Sequence, residues 1–457
     1  MPLPRRRFLS GSAAALALGS LPAAAHATGR PPNFIVILCD DLGYGDIGAN
    51  GGRIATPAID RMAREGISLT DYYAAANVCT PSRAGLLTGR YPIRAGLAYG
   101  VIMQNDTRGL PPGEITIAQA LKPAYATALI GKWHLGHIKP FWPPTGYGFD
   151  LFFGLPYSHD MKPLSLYEAP AAGVEMTQED VDFPQLQQRF ADRALRFIDA
   201  NRDRPFFLEL ALSAPHLPSH AHPPFQGHSG AGAYGDVVTE VDSIVGRILD
   251  RLQVQGLDRD TLVILTSDNG PWFEGSPGPL RDRKGGAGWD GGYRVPFIAR
   301  QTGRVPAGRK TTSIAMAIDL LPTFCAMAGV APPAGVALDG RDISGVLTQG
   351  AASPHDQLIL FDNEDVAAIR TQRWKYVVRT HYTAATIPLD LIGYEDLFDM
   401  QADVGENYSL AAEHPDVVAD MKARIARART EFAPLKRGMP ESLKQLQEMA
   451  RRFMQQE

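Results

Sequence analysis

Residues 33–43 read Asn33-Phe34-Ile35-Val36-Ile37-Leu38-Cys39-Asp40-Asp41-Leu42-Gly43, and the fold class follows from how that stretch is built. A short apolar run without alternation suits a strand covered on both faces, the position of a central strand in a parallel sheet. The run stops at two aspartates. Three further runs, 126–130, 206–212 and 261–266, share the design. They stop at Gly131-Lys132-Trp133-His134, at Ser213-Ala214-Pro215-His216 and at Ser267-Asp268-Asn269-Gly270. Helical spacing fills the intervals. It is clearest over 236–255, where Val237, Val241, Ile244, Val245, Ile248 and Leu252 share one face. Strands alternating with helices imply an α/β fold, a large and mostly parallel sheet sandwiched by helices. Beyond about residue 355 the pattern changes. Residues 367–379 and 394–400 read as short strands around turns, 416–430 as a surface helix, and the rest to 457 as a polar helical end. The expected organisation is a catalytic α/β domain over 28–354 and a smaller C-terminal α+β subdomain over 355–457, with a small antiparallel sheet and terminal helices.

In an open parallel sheet the carboxyl ends of the strands form the ligand crevice, so the four polar clusters are expected to converge there. Asp40, Asp41, Asp268 and Asn269 offer only oxygen, which suits Ca²⁺, with Mg²⁺ as the alternative, rather than Zn²⁺. Each alone would serve equally well as a helix cap or Asx turn. Neighbouring aspartates reach one ion only if the backbone turns between them, and Gly43 and Gly45 permit a turn. Lys132, His134, His216 and Lys284 add cations and proton carriers, which suit a sulfate or phosphate group and the departure of an oxygen from it. Cys79 opens Cys79-Thr80-Pro81-Ser82-Arg83. Pro81 belongs in the first turn of a helix, so the thiol lies near a positive helix start, with Arg83 one turn on.

Composition narrows the classes. The 457 residues are 45% hydrophobic and 21% charged, ordinary for a globular chain, and 45 Gly with 36 Pro point to many shaped loops. A net charge of −4, with no basic run outside the N-terminus, excludes nucleic acid as a partner. Three cysteines, 39, 79 and 325, are too few for a disulfide framework, although one pair remains open. Residues 1–27 combine Arg5-Arg6-Arg7-Phe8-Leu9, an apolar Ala-rich stretch too short to span a bilayer, and Ala25-His26-Ala27. That pattern is a signal peptide, and its Arg-Arg-x-Phe-Leu core resembles a twin-arginine export signal. The mature chain is expected to begin near Thr28, to work in the periplasm or as a secreted protein, and to have no membrane association once the signal is removed.

Cys79 through Arg90, Cys-Thr-Pro-Ser-Arg-Ala-Gly-Leu-Leu-Thr-Gly-Arg, resembles the signature of the formylglycine-dependent sulfatases, in particular their arylsulfatase A-like branch within the alkaline-phosphatase-like superfamily. Gly131-Lys132-Trp133-His134-Leu135-Gly136 is similar to the second signature. Asp40-Asp41-Leu42-Gly43-Tyr44-Gly45-Asp46 and Ser267-Asp268-Asn269-Gly270 are similar to the metal segments, and Gly154 to Asp160 to a stretch of the arylsulfatase A-like members. The likeness runs from about 32 to 410. It implies an alkaline-phosphatase-like fold and the hydrolysis of aryl or carbohydrate sulfate esters. It also implies that a maturation enzyme oxidises Cys79 to formylglycine, whose hydrate is the nucleophile and forms a covalent sulfo-enzyme. By the same resemblance Asp40, Asp41, Asp268, Asn269 and the modified Cys79 bind Ca²⁺, and Arg83 and Lys132 steady the hydrate. His134 takes its second proton, His216 and Lys284 hold the sulfate and aid the leaving oxygen, and Ser158 contacts the sulfate.

One departure bears on Lys284. The family has a lysine followed five residues later by Glu-Gly-Gly; here Lys284 precedes Asp290-Gly291-Gly292 by six, with Gly285, Gly286 and Gly288 between. Arg283 is the alternative cation. His220, His222 and His228 read as loop histidines rather than a zinc site, and Trp272, Phe273, Trp289 and Tyr293 as pocket-mouth or packing aromatics. The alternative activity on this scaffold is phosphonate monoester or phosphodiester hydrolysis, against which Tyr157-Ser158-His159 favours sulfate. A non-catalytic Ca²⁺-binding protein would show a degraded site, and none of the positions above is degraded.

Overall fold

The computed structural model describes residues 30–170, 175–382, 385–445 and 448. The expected signal peptide, residues 1–27, and the last residues of the expected helical end lie outside the described residues. The opening apolar run forms the strand Asn33–Asp40, buried along its whole length. Thr261–Ser267 pairs with it on one side and Phe206–Pro215 on the other, both parallel. Ala126–Lys132 and Leu151–Leu155 continue the parallel set. These five strands are the middle of a ten-stranded sheet whose flanks turn antiparallel at Phe297–Arg300 and at Leu166–Ala169.

Because successive side chains of a strand point to opposite faces, the run divides its apolar residues between two cores. Phe34, Val36 and Leu38 pack with Leu86, Phe207 and Phe324 on one face. Ile35, Ile37 and Cys39 pack on the other against Phe190 and Val241, from the helices Phe183–Ala200 and Gly232–Val254. The six apolar positions expected on one face of the latter helix are all buried. It starts four residues before the spacing suggested, at Gly232. Burying one such side chain contributes about 1.5–3 kcal/mol, so both faces hold the central strands firmly.

The C-terminal part builds its own four-stranded antiparallel sheet from Leu358–Asp362, Asp365–Arg370, Trp374–Val377 and Asp396–Asp399. The helix Pro415–Phe432 places Phe432 against Phe361 and Tyr91, joining this sheet to the main core. Cys39, Cys79 and Cys325 are all buried and free, so no pair forms. No helix among the described residues is long and apolar enough to cross a membrane.

Candidate active site

All five parallel strands end at one edge, and the polar residues that stop them meet there. Asp40 is the last residue of its strand. Asp41 follows with a positive φ of 67°, a conformation a non-glycine residue adopts only when its surroundings hold it. This is the turn that lets two consecutive aspartates face one point. It is pinned from outside: Asp46 accepts the amides of Gly43 and Ser276, each at 2.8 Å, and the Tyr234 hydroxyl at 2.5 Å. Asp268 and Asn269 follow the neighbouring strand, and the Asp41 amide donates to Asp268 Oδ1 at 3.2 Å.

Cys79 is the first residue of the helix Cys79–Thr88, every residue of which is buried. Gly89 ends it at φ 67°, its amide returning to the Gly85 carbonyl at 3.0 Å. The Cys79 Sγ lies 3.5 Å from Asp40 Oδ1, 4.0 Å from Asp41 Oδ1 and 3.4 Å from Lys284 Nζ. Lys132, with no solvent exposure, donates to both oxygens of Asp40 at 2.9 and 2.7 Å. Arg83 donates through Nε to Asp268 Oδ2 at 2.9 Å and through Nη1 to the Lys132 carbonyl at 2.9 Å. Lys284 spans both oxygens of Asp41 at 2.7 and 2.8 Å. The one-residue-longer loop therefore still delivers this lysine, while Arg283 turns away to the Trp272 and Gly275 carbonyls. His216 Nε2 is 3.7 Å from Asp41 Oδ2 and 3.5 Å from Ser158 Oγ.

Three carboxylates thus meet three permanent cations in a largely buried space, open at the side of Lys284 and His216. Asp40 lies well below the usual carboxylate range: burial pushes it up, but Lys132 first, then His216, Arg83 and Lys284, outweigh burial. Asp268 is pushed up to about 6 by burial, which Arg83 only partly offsets. Burial also raises the Cys79 thiol, against the pull of Lys132 and Lys284. His134, itself at φ 58°, is held far below its ordinary value by burial and then by Lys132 and Arg83. Its Nε2 faces the Ile102 carbonyl at 3.0 Å, which assigns the hydrogen to Nε2 and leaves the lone pair on Nδ1. That Nδ1 is buried and without a partner. A neutral histidine with a free lone pair is set up to accept a proton.

The donor chemistry fits a hard divalent cation. Asp40, Asp41, Asp268 and Cys79 each offer a ligand atom, all within 4.8 Å of one another, and Asn269 Oδ1 is buried without a hydrogen-bond partner. Oxygen-rich sets of this kind suit Ca²⁺ or Mg²⁺. No such group forms at His220, His222 and His228 among the described residues. Trp289 and Tyr293 are buried, whereas Trp272 and Phe273 are 41% and 71% exposed. Sequence reasoning gave no role to two groups near the site. His159 is buried edge-on to His216 with ring centres 5.6 Å apart, and Glu209 lies buried within the central strand Phe206–Pro215. The signal for Glu209 was available, since it is the one charge in an otherwise apolar run.

Comparison with known proteins shows the family. The family model described as Sulfatase matches residues 32–330. The chain is 37% identical to human arylsulfatase A, with 88% of each chain covered. It is 35% identical to mouse steryl-sulfatase over 95% of this chain and 88% of the relative. Among solved structures, the PsFucS1 sulfatase from Pseudoalteromonas sp. superposes with a TM-score of 0.80 at 30% identity, covering 88% of this chain and 91% of that one. Two-thirds of the chain under one family model, and relatives matched nearly end to end, leave one assignment: the chain belongs to the sulfatase family and is a sulfuric ester hydrolase.

Proposed function

We propose that this hydrolase cleaves aryl or carbohydrate sulfate esters through a formylglycine made from Cys79 by a maturation enzyme. The observation that carries the reading is the meeting of Cys79 with Asp40, Asp41 and Lys284 at the start of a buried helix. A thiol that burial keeps protonated is a poor nucleophile, whereas an aldehyde hydrate at the same position presents two hydroxyls. Asp40, Asp41, Asp268, Asn269 and the residue at 79 would hold Ca²⁺, or Mg²⁺ in its place. Bound there, the ion would supply Lewis-acid polarisation of a sulfate oxygen and of the attacking hydroxyl.

The chain's own residues divide the remaining work. Arg83 and Lys132 fix the carboxylates and steady the hydrate. Lys284 and His216, with Ser158 beside His216, hold the sulfate end, and cations placed there stabilise charge as it develops. One hydroxyl at 79 attacks sulfur and loses its proton by way of Asp41 to His216 Nε2, which gives it to the departing alcohol oxygen as the ester S–O bond breaks. Nδ1 of His134 then takes the proton of the second hydroxyl as the sulfo-ester collapses to aldehyde and sulfate, and water restores the hydrate.

The proposal extends to the organisation of the chain: a twin-arginine signal over 1–27, export to the periplasm or beyond, a catalytic domain over 28–354 and a C-terminal subdomain over 355–457. The decisive experiment is mass spectrometry of the tryptic peptide across Cys79, run beside rates on 4-nitrophenyl sulfate, a phosphodiester and a phosphonate monoester. Formylglycine with sulfate as the preferred substrate supports the reading. Formylglycine with faster phosphonate or phosphodiester cleavage would replace it with that activity. Full hydrolysis by a Cys79→Ala variant would end it.

A further inference from the structure

The loop that carries Lys284 is fastened at both ends to a single residue of the C-terminal part, Glu406. Lys284 sits in the irregular stretch between Arg281 and the short helix Asp290–Tyr293. At the near end, Arg281 Nη1 donates to the Glu406 carbonyl at 2.9 Å and its guanidinium lies 3.6 Å over the Trp289 ring. At the far end, the Asp290 amide donates to Glu406 Oε2 at 2.9 Å. The Gly291 amide closes the loop onto the Arg281 carbonyl at 2.7 Å. Between these ends the Lys284 amide donates to the Pro271 carbonyl and the Gly285 amide to the Asn77 carbonyl, each at 3.0 Å, and Asn77 Nδ2 donates to the Gly286 carbonyl at 3.1 Å.

Lys375, on the strand Trp374–Val377, completes the arrangement. Its Nζ lies 2.6 Å from Asp290 Oδ1 and 2.7 Å from Glu406 Oε1, and all three side chains have essentially no solvent exposure. The Tyr73 hydroxyl donates to the other Asp290 oxygen at 2.9 Å. Taking three charges out of water is costly, and an apolar trio of similar volume would stabilise the fold at least as well. What an ionic clamp adds is direction: it fixes where Asp290 sits against the strand Trp374–Val377, and so where the loop ends.

We propose that Lys375 and Glu406 are positioning residues for Lys284. Their clamp on Asp290 sets the place of Lys284 Nζ against Asp41 and the residue at 79, and with it the grip on the sulfate end. The shorter aspartate at 290 reaches its place because Lys375 meets it from the neighbouring sheet. The inference rests on the reading of Lys284 as a sulfate-binding cation, and the experiment separates the two.

Lys375→Met, Glu406→Gln and Lys284→Ala are made singly, and the first two are also made in the Lys284→Ala background, all in the matured full chain. Hydrolysis of 4-nitrophenyl sulfate is followed with melting temperature beside it. Lys375→Met should lower kcat/KM by about tenfold to a hundredfold, the scale for partners that orient functional groups, with KM rising more than kcat falls. Glu406→Gln, whose amide oxygen still accepts from the Asp290 amide, should lose less. In the Lys284→Ala background both should cost under about twofold, because the residue they act through is gone. Losses that multiply in that background would overturn the clamp and leave the sulfate-binding reading standing. A Lys284→Ala variant with full activity would overturn both. If Lys375→Met does not fold, Glu406→Gln carries the same cycle alone.

Discussion

Two buried clusters, each of three acids and three bases, are built to different ends in this molecule. In one, Arg370, Asp71, Arg294, Asp290, Lys375 and Glu406 alternate in sign along a chain of contacts at 2.5, 2.8, 3.4, 2.6 and 2.7 Å. In the other, Asp40, Asp41 and Asp268 converge with Cys79 within 4.8 Å, and Arg83, Lys132 and Lys284 surround them. The two have the same formal charge balance, and each holds one acid driven down and one driven up: Asp290 and Glu406 in the first, Asp40 and Asp268 in the second. Asp290 is lowered, since Lys375, then Arg294 and Arg370, outweigh its burial. Asp268 is raised to about 6, since burial and the neighbouring Asp40 outweigh Arg83. In the alternating chain the raised acid is the terminal Glu406, pushed up to about 7 by burial against a single Lys375; in the convergent cluster the raised acid, Asp268, faces two other carboxylates, an imbalance that a divalent cation corrects. The first arrangement holds a fold together, and the second stores unfavourable energy where a reaction can use it.

The sharpest way to break this comparison is to neutralise one aspartate from each cluster. Asp268→Asn should lower kcat/KM by about 10³-fold or more, as expected when a ligand of a catalytic metal is lost. The melting temperature of the metal-free variant should move by less than about 3 °C. Retained activity with a collapsed fold would mean that the two clusters had been assigned the wrong way round. Asp290→Asn should weigh mainly on the fold, costing about 3–5 kcal/mol in denaturant unfolding because Lys375 loses its counter-charge, with kcat/KM falling only by about the tenfold to hundredfold of a displaced Lys284. Since the folded state depresses this carboxyl, its contribution is present above its ordinary value of 3.8 and is lost as pH falls. The gap between variant and parent should therefore close in acid.

Only one of the clusters could be read from the sequence. The residues proposed for catalysis lie at the ends of four apolar runs, so local pattern and the rule of the carboxyl edge are enough to bring Asp40, Lys132, His216 and Asp268 together. The other cluster has no such marker. Asp290 meets Lys375 across 85 residues and Glu406 across 116, and an Asp-Gly-Gly in a loop or a Lys in a short strand is unremarkable by itself. For the same reason the Asp in place of Glu at 290 reads from the sequence only as a departure, its compensating partner being far along the chain. Element type was legible and element ends were not. The Gly232–Val254 helix begins four residues early because Gly232 and Gly235, poor helix formers, mask a first turn in which Tyr234 continues the apolar face that Val237 and Val241 carry.

Glu209 tests the comparison at smaller scale, as a buried acid with too little opposing charge. Burial raises it to about 7, with Arg83 pulling the other way. Its folded value lies above the unfolded 4.5, so the folded state keeps a proton that the unfolded chain releases, and stability falls as pH rises from 4.5 to about 7. Glutamine cannot titrate. Glu209→Gln should match the parent near pH 4 and exceed it at pH 8 by about 3 kcal/mol at most. Equal unfolding free energies at both pH values would show that Glu209 has found a partner as effective as those of Asp290.

The smallest expected effect separates binding from proton transfer within the catalytic cluster itself. His216 Nδ1 lies 2.6 Å from the Leu217 carbonyl and so carries a hydrogen, leaving Nε2 to face Asp41 and Ser158. If Nε2 relays a proton from Asp41 to the departing oxygen, its value depends on how much that oxygen needs one. A nitrophenolate leaves well as an anion, and a simple alkoxide does not. His216→Ala should therefore slow the sulfate ester of an ordinary alcohol about tenfold more than 4-nitrophenyl sulfate, a difference of about 1.4 kcal/mol between two substrates sharing one sulfate-binding site. Loss of a sulfate contact would instead weigh on both equally, because the sulfate is common to them. Equal losses would assign His216 to the grip on sulfate alongside Lys284. A tenfold split would give it a proton-transfer role that no residue of the alternating cluster has.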